Sequence, residues 1–209
     1  MRKKAYFFLK RSMDIFGAIF GLVFLSPLFL AVAMLVRHKL GSPVIFTQER
    51  AGKDGKPFTI CKFRTMTDER DKEGNLLPDE KRLTRFGAMI RRIRLDEIPE
   101  ILAVLWGDLS LVGPRPLLIS SLDSLSEYGK RRLEMKPGLT GWSQINGNTQ
   151  LTLEEKEALD VWYIDHANIF LDIGIIVLTF LVIFFGEKRN DIRIAEAFKY
   201  AKCLDRGSR

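Results

Sequence analysis

The stretch IFGAIFGLVFLSPLFLAVAMLV, from Ile15 to Val36, decides how this chain is organised, because its 22 residues carry no charge. About 20 apolar residues are enough for a helix to cross the hydrocarbon core of a bilayer. The stretch fits a cleaved signal peptide poorly, since it is too long and no small-x-small cleavage site follows it. It therefore predicts a membrane-inserted segment near the N-terminus.

Both flanks of this apolar block are basic. The flanking charges are Arg2, Lys3, Lys4, Lys10 and Arg11 before the block, and Arg37 and Lys39 after it. Because positive residues favour the cytoplasmic side of a membrane, this pattern suggests that both ends lie on that side.

Ser26 and Pro27 interrupt the middle of the block. Pro27 has no N–H, so the carbonyl of Val23 loses its helical partner, and the Ser26 hydroxyl can reach that carbonyl. A bend here that returns the chain to the cytoplasmic face would explain the charges on both flanks. A single kinked span explains the proline equally well, and both interpretations stay open on these residues alone.

The composition excludes several classes of protein. The chain has 209 residues and a net charge of +7, with 46% hydrophobic and 28% charged residues, which excludes a disordered polyelectrolyte. Two cysteines and two histidines argue against a disulfide scaffold and against a cysteine- or histidine-rich metal centre. The charge alone would suit nucleic acid, but no recognition motif of that class is present.

The middle of the chain predicts short elements. Residues 41–65 combine turn-forming residues with short apolar runs, which indicates a β-hairpin carrying Lys62 and Arg64 near its end. Residues 66–81 are polar and predict a solvated surface excursion.

Two adjacent carboxylates, Asp96 and Glu97, lie between two predicted helices. The first helix is expected to end near Arg94, and the second to begin around Ile98 and stop at Gly107. The basic residues nearby are Arg91, Arg92, Arg94 and Arg115. A carboxylate pair in such a setting can hold Mg²⁺ or supply a nucleophile with a base beside it. A helix cap paired with arginines explains the same residues, and spacing does not decide between them.

The last third predicts a loop followed by three helices. Residues 135–150 are rich in Gly, Pro and Asn, and Trp142 and Gln144 could form a stacking surface or simply anchor the loop. Residues 153–165 predict a helix, and residues 173–185 an apolar helix that lies either in the core or at a membrane interface. The remaining residues predict a basic amphipathic helix with a frayed end.

The chain resembles the bacterial sugar transferase family, the monotopic phosphoglycosyl transferases. The resemblance runs from about Lys10 to about Gly186 and rests on six motifs that occur in sequence order. They are the apolar block with Ser26-Pro27, KFRTM (62–66), LDEIP (95–99), GDLSLVGPRP (107–116), KPGLTGWSQING (136–147) and LDVWYIDH (159–166).

The resemblance implies an enzyme. It would transfer a phosphosugar from a nucleotide diphosphate sugar, expected to be UDP-linked, to a polyprenol phosphate, expected to be undecaprenyl phosphate. It would release the nucleoside monophosphate, require Mg²⁺ and initiate glycan assembly. The sequence alternative is a non-catalytic, basic membrane-surface module.

The resemblance also implies roles for residues. Asp96 matches the nucleophile that forms a covalent phosphosugar intermediate, and Glu97 matches its partner; both are candidate metal ligands. Phosphate or substrate contacts are expected from Lys62, Arg64, Arg91, Arg115, Pro116, Gln144, Asn148 and Asp160. Many members have an arginine where this chain has Asn148, and often have Gln and Asn where it has Glu100 and Ala103, so the donor sugar stays open.

The expected fold is mostly α with a short β-hairpin. A re-entrant helix-break-helix, residues 1–40, and interfacial amphipathic helices would pack on a small cytosolic catalytic domain, residues 41–209. The partners expected are the nucleotide sugar, polyprenol phosphate and membrane phospholipids, with no nucleic acid and with a homodimer left open. The resemblance places the protein at a bacterial inner membrane, with its site on the cytoplasmic face.

Overall fold

The computed structural model describes the backbone of residues 2–207 and the side chains of residues 4–204. The helices are α1 (Arg2–Leu40), α2 (Asp79–Arg82), α3 (Arg85–Arg92), α4 (Ile101–Trp106), α5 (Trp142–Ile145), α6 (Leu153–His166), α7 (Ile169–Phe185) and α8 (Asp191–Gly207). The strands are β1 (Ile45–Ala51), β2 (Pro57–Phe63), β3 (Ser110–Val112) and β4 (Gly138–Thr140). The mostly helical fold with a short hairpin is confirmed.

The apolar block lies in the middle of α1, a helix of 39 residues that contains Pro27. The predicted bond is present, since the Ser26 hydroxyl donates to the Val23 carbonyl at 2.8 Å. The expected break between two helices is not seen, because α1 is continuous through Ser26 and Pro27. The serine supplies a partner for the carbonyl that the proline leaves free, so the helix can continue past it.

Both ends of α1 pack against the rest of the chain, whereas its middle is exposed. Ala18 is buried with Ala103 and Val104 of α4. Val32 and Val36, on the other side of Pro27, are buried with β2 and α3 residues. The exposed apolar side chains between them include Ile19, Phe20, Val23, Phe24 and Leu30. Among the described residues, α1 is the one helix long and apolar enough to cross a membrane.

The β-hairpin is confirmed, and its register places the basic residues near its end. β1 and β2 are antiparallel, with Phe46 opposite Lys62 and Arg50 opposite Phe58. Ala51 donates from its backbone N–H to the carbonyl of Leu117 at 2.9 Å, which ties the hairpin to the chain that follows Pro116. The polar residues 66–81 follow as a largely exposed excursion that ends in the single turn of α2.

The two predicted helices around the carboxylates are α3 and α4. The second begins with a 3-10 turn, Leu95–Glu100, and Pro99 lies inside that turn, so regular α-helix starts at Ile101. α4 ends where expected, because Gly107 takes φ 99°, a left-handed conformation that favours glycine.

The expectation that residues 135–150 form a loop was only partly right. Gly138–Thr140 form β4, which pairs in parallel with β3. Trp142 begins the short helix α5 and is 7% exposed, stacked on Trp162 with the ring centroids 5.0 Å apart. The loop-anchor interpretation of Trp142 is therefore confirmed, because its ring is covered by other side chains. The sequence signal for β4 was weak, since a strand of three residues is too short to show strand periodicity.

The C-terminal third forms the main core. α6 begins with a capping box between Thr152 and Glu155, and its Leu159 and Tyr163 are fully buried. α7 belongs to the core along one face only. Asp172 and Ile175 are buried, whereas the opposite face is exposed. α8 packs on α6. The predicted fraying at Ser208 and Arg209, and the side chains of Arg2 and Lys3, lie outside the described residues.

Candidate functional site

Glu97 lies where three separate elements bring positive charge together. The Lys62 ammonium, from the end of β2, is 2.9 Å from Glu97 Oε1. Arg115, from the turn after β3, is 3.2 Å from the same oxygen. Arg94, which takes the left-handed φ of 56°, is 3.5 Å from the other oxygen, Oε2. Burial would raise the pKa of Glu97, but the charges of Arg115 and Lys62 outweigh it and lower the pKa to about 2.

Asp96 has a different environment from its neighbour. It is 8% exposed, and within the described residues no side chain donates a hydrogen bond to its carboxylate. Burial, and then the negative charge of Glu97, raises the pKa of Asp96 above its usual range. Two adjacent carboxylates thus have opposite pKa shifts, a pattern typical of sites where one group reacts and the other stays ionised.

Glu100 also belongs to the site, although the sequence marked it only as a departure from the family pattern. Its carboxylate is 3.0 Å from the Lys62 ammonium, so Lys62 bridges two buried or half-buried carboxylates. Burial raises the pKa of Glu100, against the charge of Lys62. The available sequence signal was its spacing, because a residue three positions after Glu97 returns to the same side of a 3-10 helix.

A cleft opens beside these groups. Its lining residues are Arg50, Ile60, Lys62, Glu97, Glu100, Arg115, Pro116, Gly138 and Leu139. The structure therefore brings together Lys62, Glu97, Arg115 and Pro116 from the predicted set, and Asp96 lies next to them in the chain without lining the cleft. Arg50 was missed, because a charge close to a turn-rich stretch looks like ordinary solvated surface.

Two predicted basic residues lie to one side of the cleft. Arg91 donates through Nε to the Thr65 hydroxyl at 2.8 Å, and its charge still acts on Asp96. Arg64 is buried and binds the Asp68 carboxylate at 2.7 Å and the Ser42 carbonyl at 3.1 Å.

Three further predicted residues are engaged with the protein itself. Gln144 is buried and donates to the Leu139 carbonyl, directly behind the cleft wall. Asn148 binds Glu187 through its side-chain amide. Asp160 is fully buried against Arg132 at 2.8 Å, so the expected substrate contact does not fit this geometry. Arg132 Nη2 lies 3.5 Å from the Arg115 carbonyl, so Asp160 instead supports the chain that carries Arg115.

The carboxylates fit a magnesium ion that substrate phosphates help to bind. Residues 4–204 contain no group of three or more His, Cys, Asp or Glu side chains that could hold a metal by themselves. Mg²⁺ is commonly held by one or two carboxylates together with phosphate oxygens and water. The Asp96 carboxylate, free of side-chain donors, suits this role, whereas Glu97 Oε1 is already bound by Lys62 and Arg115.

The chain is similar in sequence to several proteins that are named as sugar transferases. The chain is 56% identical over 171 residues to "Uncharacterized sugar transferase EpsL" of Bacillus subtilis (strain 168), a match that covers 82% of this chain and 85% of that protein. It is 38% identical to "Galactosyl transferase CpsE" of Streptococcus agalactiae serotype III (strain NEM316), covering 88% of this chain and 44% of that protein.

A third relative carries a more specific name. The chain is 39% identical to "UDP-glucose:undecaprenyl-phosphate glucose-1-phosphate transferase" of Escherichia coli (strain K12), covering 82% of this chain and 39% of that protein. The chain thus spans less than half of the length of the second and third of these relatives.

The family model for bacterial sugar transferases matches residues 5–186, which include the apolar block, the carboxylate pair and the cleft. Because this match covers most of the chain, the protein belongs to the bacterial sugar transferase family.

Proposed function

We propose that this protein transfers a sugar 1-phosphate from a UDP-linked sugar to undecaprenyl phosphate, releasing UMP. The name of the Escherichia coli relative, a UDP-glucose:undecaprenyl-phosphate glucose-1-phosphate transferase, supports the donor and acceptor classes. The observation that carries the proposal is the pairing of two unlike carboxylates. Asp96 accepts no side-chain hydrogen bond within the described residues, whereas its neighbour Glu97 is held ionised by Lys62 and Arg115.

The proposed reaction has two steps at Asp96. First, an Asp96 carboxylate oxygen attacks the phosphorus that bears the sugar, and the bond from that phosphorus to the bridging oxygen breaks. UMP leaves with the electron pair, and an aspartyl phosphosugar remains. Second, a phosphate oxygen of the lipid attacks the same phosphorus and releases Asp96 as a carboxylate. One small site can thereby serve a soluble donor and a membrane-bound acceptor in turn.

The surrounding charges suit phosphoryl transfer. Lys62 and Arg115 lie on the cleft side of Glu97 and can neutralise charge that develops on the phosphate oxygens. Glu97 keeps both cations in place, because its oxygen Oε1 lies within 3.2 Å of each of them. Asp96 is the residue proposed to hold Mg²⁺, with Glu97 taking part through Oε2, since its Oε1 already binds Lys62 and Arg115. The ion would offset the charge of the diphosphate and of the leaving UMP.

The packing of α1 supports a membrane arrangement in which both of its ends face the cytoplasm. In a spanning arrangement the two ends of the 22-residue block, about 33 Å apart along a helix, would lie on opposite sides of the hydrocarbon core. Residues on both sides of Pro27 instead pack against the same folded unit, Ala18 on α4 and Val36 beside β2. We therefore propose a monotopic protein whose exposed α1 middle is inserted into one leaflet of the inner membrane.

Substitution of the nucleophile tests the chemistry. Asp96→Asn should abolish UMP release, because an amide cannot form the aspartyl phosphosugar. Incubation with the donor alone should add one phosphosugar to the wild type by intact mass and none to the variant.

Asp123→Asn is the matched control, since Asp123 is exposed, and it should behave as the wild type does. Turnover by Asp96→Asn at the wild-type rate would refute the nucleophile assignment. An absence of UMP release from the wild type with every UDP-sugar tried would instead favour a non-catalytic membrane module.

Accessibility of the two ends of α1 tests the membrane arrangement. Lys4→Cys and Lys39→Cys, each in a Cys61→Ser, Cys203→Ser background, should resist an impermeant thiol reagent in intact cells. Both should react after permeabilisation, together with Asp123→Cys as a marker of the catalytic side. Labelling of one end only from outside intact cells would restore the spanning helix.

A further inference from the structure

We propose that Arg50 is a second phosphate-binding guanidinium of the cleft, acting beside Arg115 on an oxygen of a substrate phosphate. This inference rests on the proposed function, since it deepens the description of the same site. Arg50 belongs to none of the motifs that mark the site in the sequence.

The fold places Arg50 at the cleft through two backbone connections. It is the last residue but one of β1, where it lies opposite Phe58 of β2. The next residue, Ala51, forms a bridge with Leu117, two residues after Arg115. The hairpin is thereby held against the chain that carries Arg115 and Pro116. Arg50 lines the cleft together with these two residues.

Arg50 differs from the other cations of the cleft in its partners. Lys62 contacts two carboxylates and Arg115 contacts one. Arg50 donates through Nη2 to the neutral Gln48 amide oxygen at 2.6 Å. Within the part of the chain that the structure describes, no carboxylate lies within 4.0 Å of its guanidinium, and its buried Nε has no hydrogen-bond partner.

This arrangement leaves a half-buried positive charge with no carboxylate in contact among the described residues, since Glu100 attracts it from beyond contact distance and is itself bound by Lys62. Burial, and then the like charge of Arg115, lowers the pKa of Arg50, so the cation is costly where it lies. An incoming anion would remove that cost and would satisfy the free Nε. The planar fork of a guanidinium matches two phosphate oxygens, and the bond to Gln48 restricts its orientation before the ligand arrives.

The phosphate can come from the donor diphosphate or from the polyprenol phosphate, and binding measurements separate the two. Arg50→Gln removes the charge, and Lys56→Gln removes an exposed charge from the same hairpin as a matched control. The dissociation constant of UDP is measured by calorimetry on the full-length protein in nanodiscs. The KM for undecaprenyl phosphate and the rate of adduct formation with donor alone are measured in parallel.

For Arg50→Gln we expect either the dissociation constant of UDP or the KM for undecaprenyl phosphate to rise by about ten- to a hundredfold. Lys56→Gln should leave both unchanged. Weaker UDP binding with slower adduct formation would assign Arg50 to the donor. A raised KM for undecaprenyl phosphate, with unchanged UDP binding and adduct formation, would assign it to the acceptor. Arg50→Lys, which keeps the charge but not the fork, should recover part of the loss.

Two outcomes would overturn the inference. One is a set of unchanged constants for Arg50→Gln at the wild-type melting temperature. The other is an equal loss in all constants together with a lowered melting temperature in both Arg50→Gln and Arg50→Lys, which would make Arg50 a structural residue. UDP binding can be measured without turnover, so failure of the proposed reaction would leave this test of Arg50 informative.

Discussion

Asp96 and Glu97 show how adjacent residues of the same chemical type acquire different properties. The charges of Lys62 and Arg115 lower the pKa of Glu97, whereas burial raises that of Asp96. The Glu97 carboxylate is therefore ionised at every physiological pH and orders the cations around it. Within the described residues the Asp96 carboxylate accepts no side-chain hydrogen bond, which suits the nucleophilic role proposed for it.

Glu187 is a second carboxylate on which several contacts converge, although it follows the last residue matched by the family model. It binds Arg94 at 3.0 Å, and it also accepts hydrogen bonds from Asn148 and Thr149. Arg94 contacts Glu97 with its other terminal nitrogen, so Glu187 connects the turn after α5 to the carboxylate pair. These contacts hold Arg94 beside Glu97.

Replacing Glu187 should therefore have an effect that depends on pH. Burial opposes ionisation, but the hydrogen bonds and Arg94 outweigh it and lower the pKa of Glu187. Because the folded pKa is lowered, the stabilisation is present above the unfolded value, near 4.3, and disappears as the pH falls through the lower folded value. Glu187→Gln should lose about 1–2 kcal/mol at pH 7 and progressively less below pH 4.

Urea unfolding of the detergent-solubilised protein across this pH range measures the difference. Glu196→Gln, an exposed carboxylate of α8, is the control and should change stability little at any pH. An equal loss at pH 7 and pH 3 would show that the ionised form of Glu187 contributes nothing.

Among the elements, α7 shows how one helix can belong to both the core and the membrane surface. Its Asp172 and Ile175 are buried against α1 and α6 residues, whereas Phe170, Phe180 and Phe184 are 85%, 58% and 77% exposed. An apolar face of this kind is typical of helices that lie in the membrane interface. Together with the exposed middle of α1, it defines the side of the molecule that we expect to face lipid.

Spin labels can test this orientation of α7. A nitroxide on Phe184→Cys, in a background without Cys61 and Cys203, should be accessible to oxygen, which dissolves in lipid, and poorly accessible to a water-soluble nickel chelate. The reason is that the exposed face of α7 would lie among acyl chains. A label on Glu196→Cys of α8 should show the reverse, because that exposed position carries a charge. Equal nickel accessibility at both sites would place α7 in water.

At the scale of the whole molecule, a buried polar network joins the N-terminal helix to the C-terminal third. Lys10 of α1 is 2.8 Å from Asp172 of α7, and both are almost fully buried. The Tyr163 hydroxyl of α6 donates to Asp172 Oδ1 at 2.6 Å. The Tyr6 hydroxyl donates to Oδ2, the oxygen that Lys10 also contacts, at 3.0 Å. The contact spans 162 residues of sequence, so it fixes α1 against the catalytic part of the chain.

Breaking this network from one side should be severe. Asp172→Leu leaves the Lys10 charge buried without a counter-ion, with only the Tyr163 hydroxyl at 3.3 Å beside it. We expect a loss of about 3–5 kcal/mol in the free energy of unfolding. The double variant Lys10→Met, Asp172→Leu should recover much of that loss, since no charge is left buried. Unfolding of the single and double variants in detergent measures the coupling. Additive effects of the two substitutions would show that the ion pair contributes no coupling energy.

Features that depend on neighbouring residues could be predicted from the sequence alone. The apolar block, the bond from Ser26 to Val23, the β-hairpin and the end of α4 at Gly107 all follow from local periodicity and backbone chemistry, and the structure contains each of them. The carboxylate pair could also be located, because its basic neighbours and the surrounding motifs are close in sequence.

Which charged groups meet depends on the packing of elements that are distant in sequence. Lys62 and Arg115 reach Glu97 from 35 and 18 residues away, and Arg50 joins them because Ala51 bridges to Leu117. Asp160 instead binds Arg132, and Asp172 joins three elements. The physical reason is that local patterns fix backbone conformation, whereas the partner of a buried charge depends on how distant elements pack, and one sequence does not record that packing.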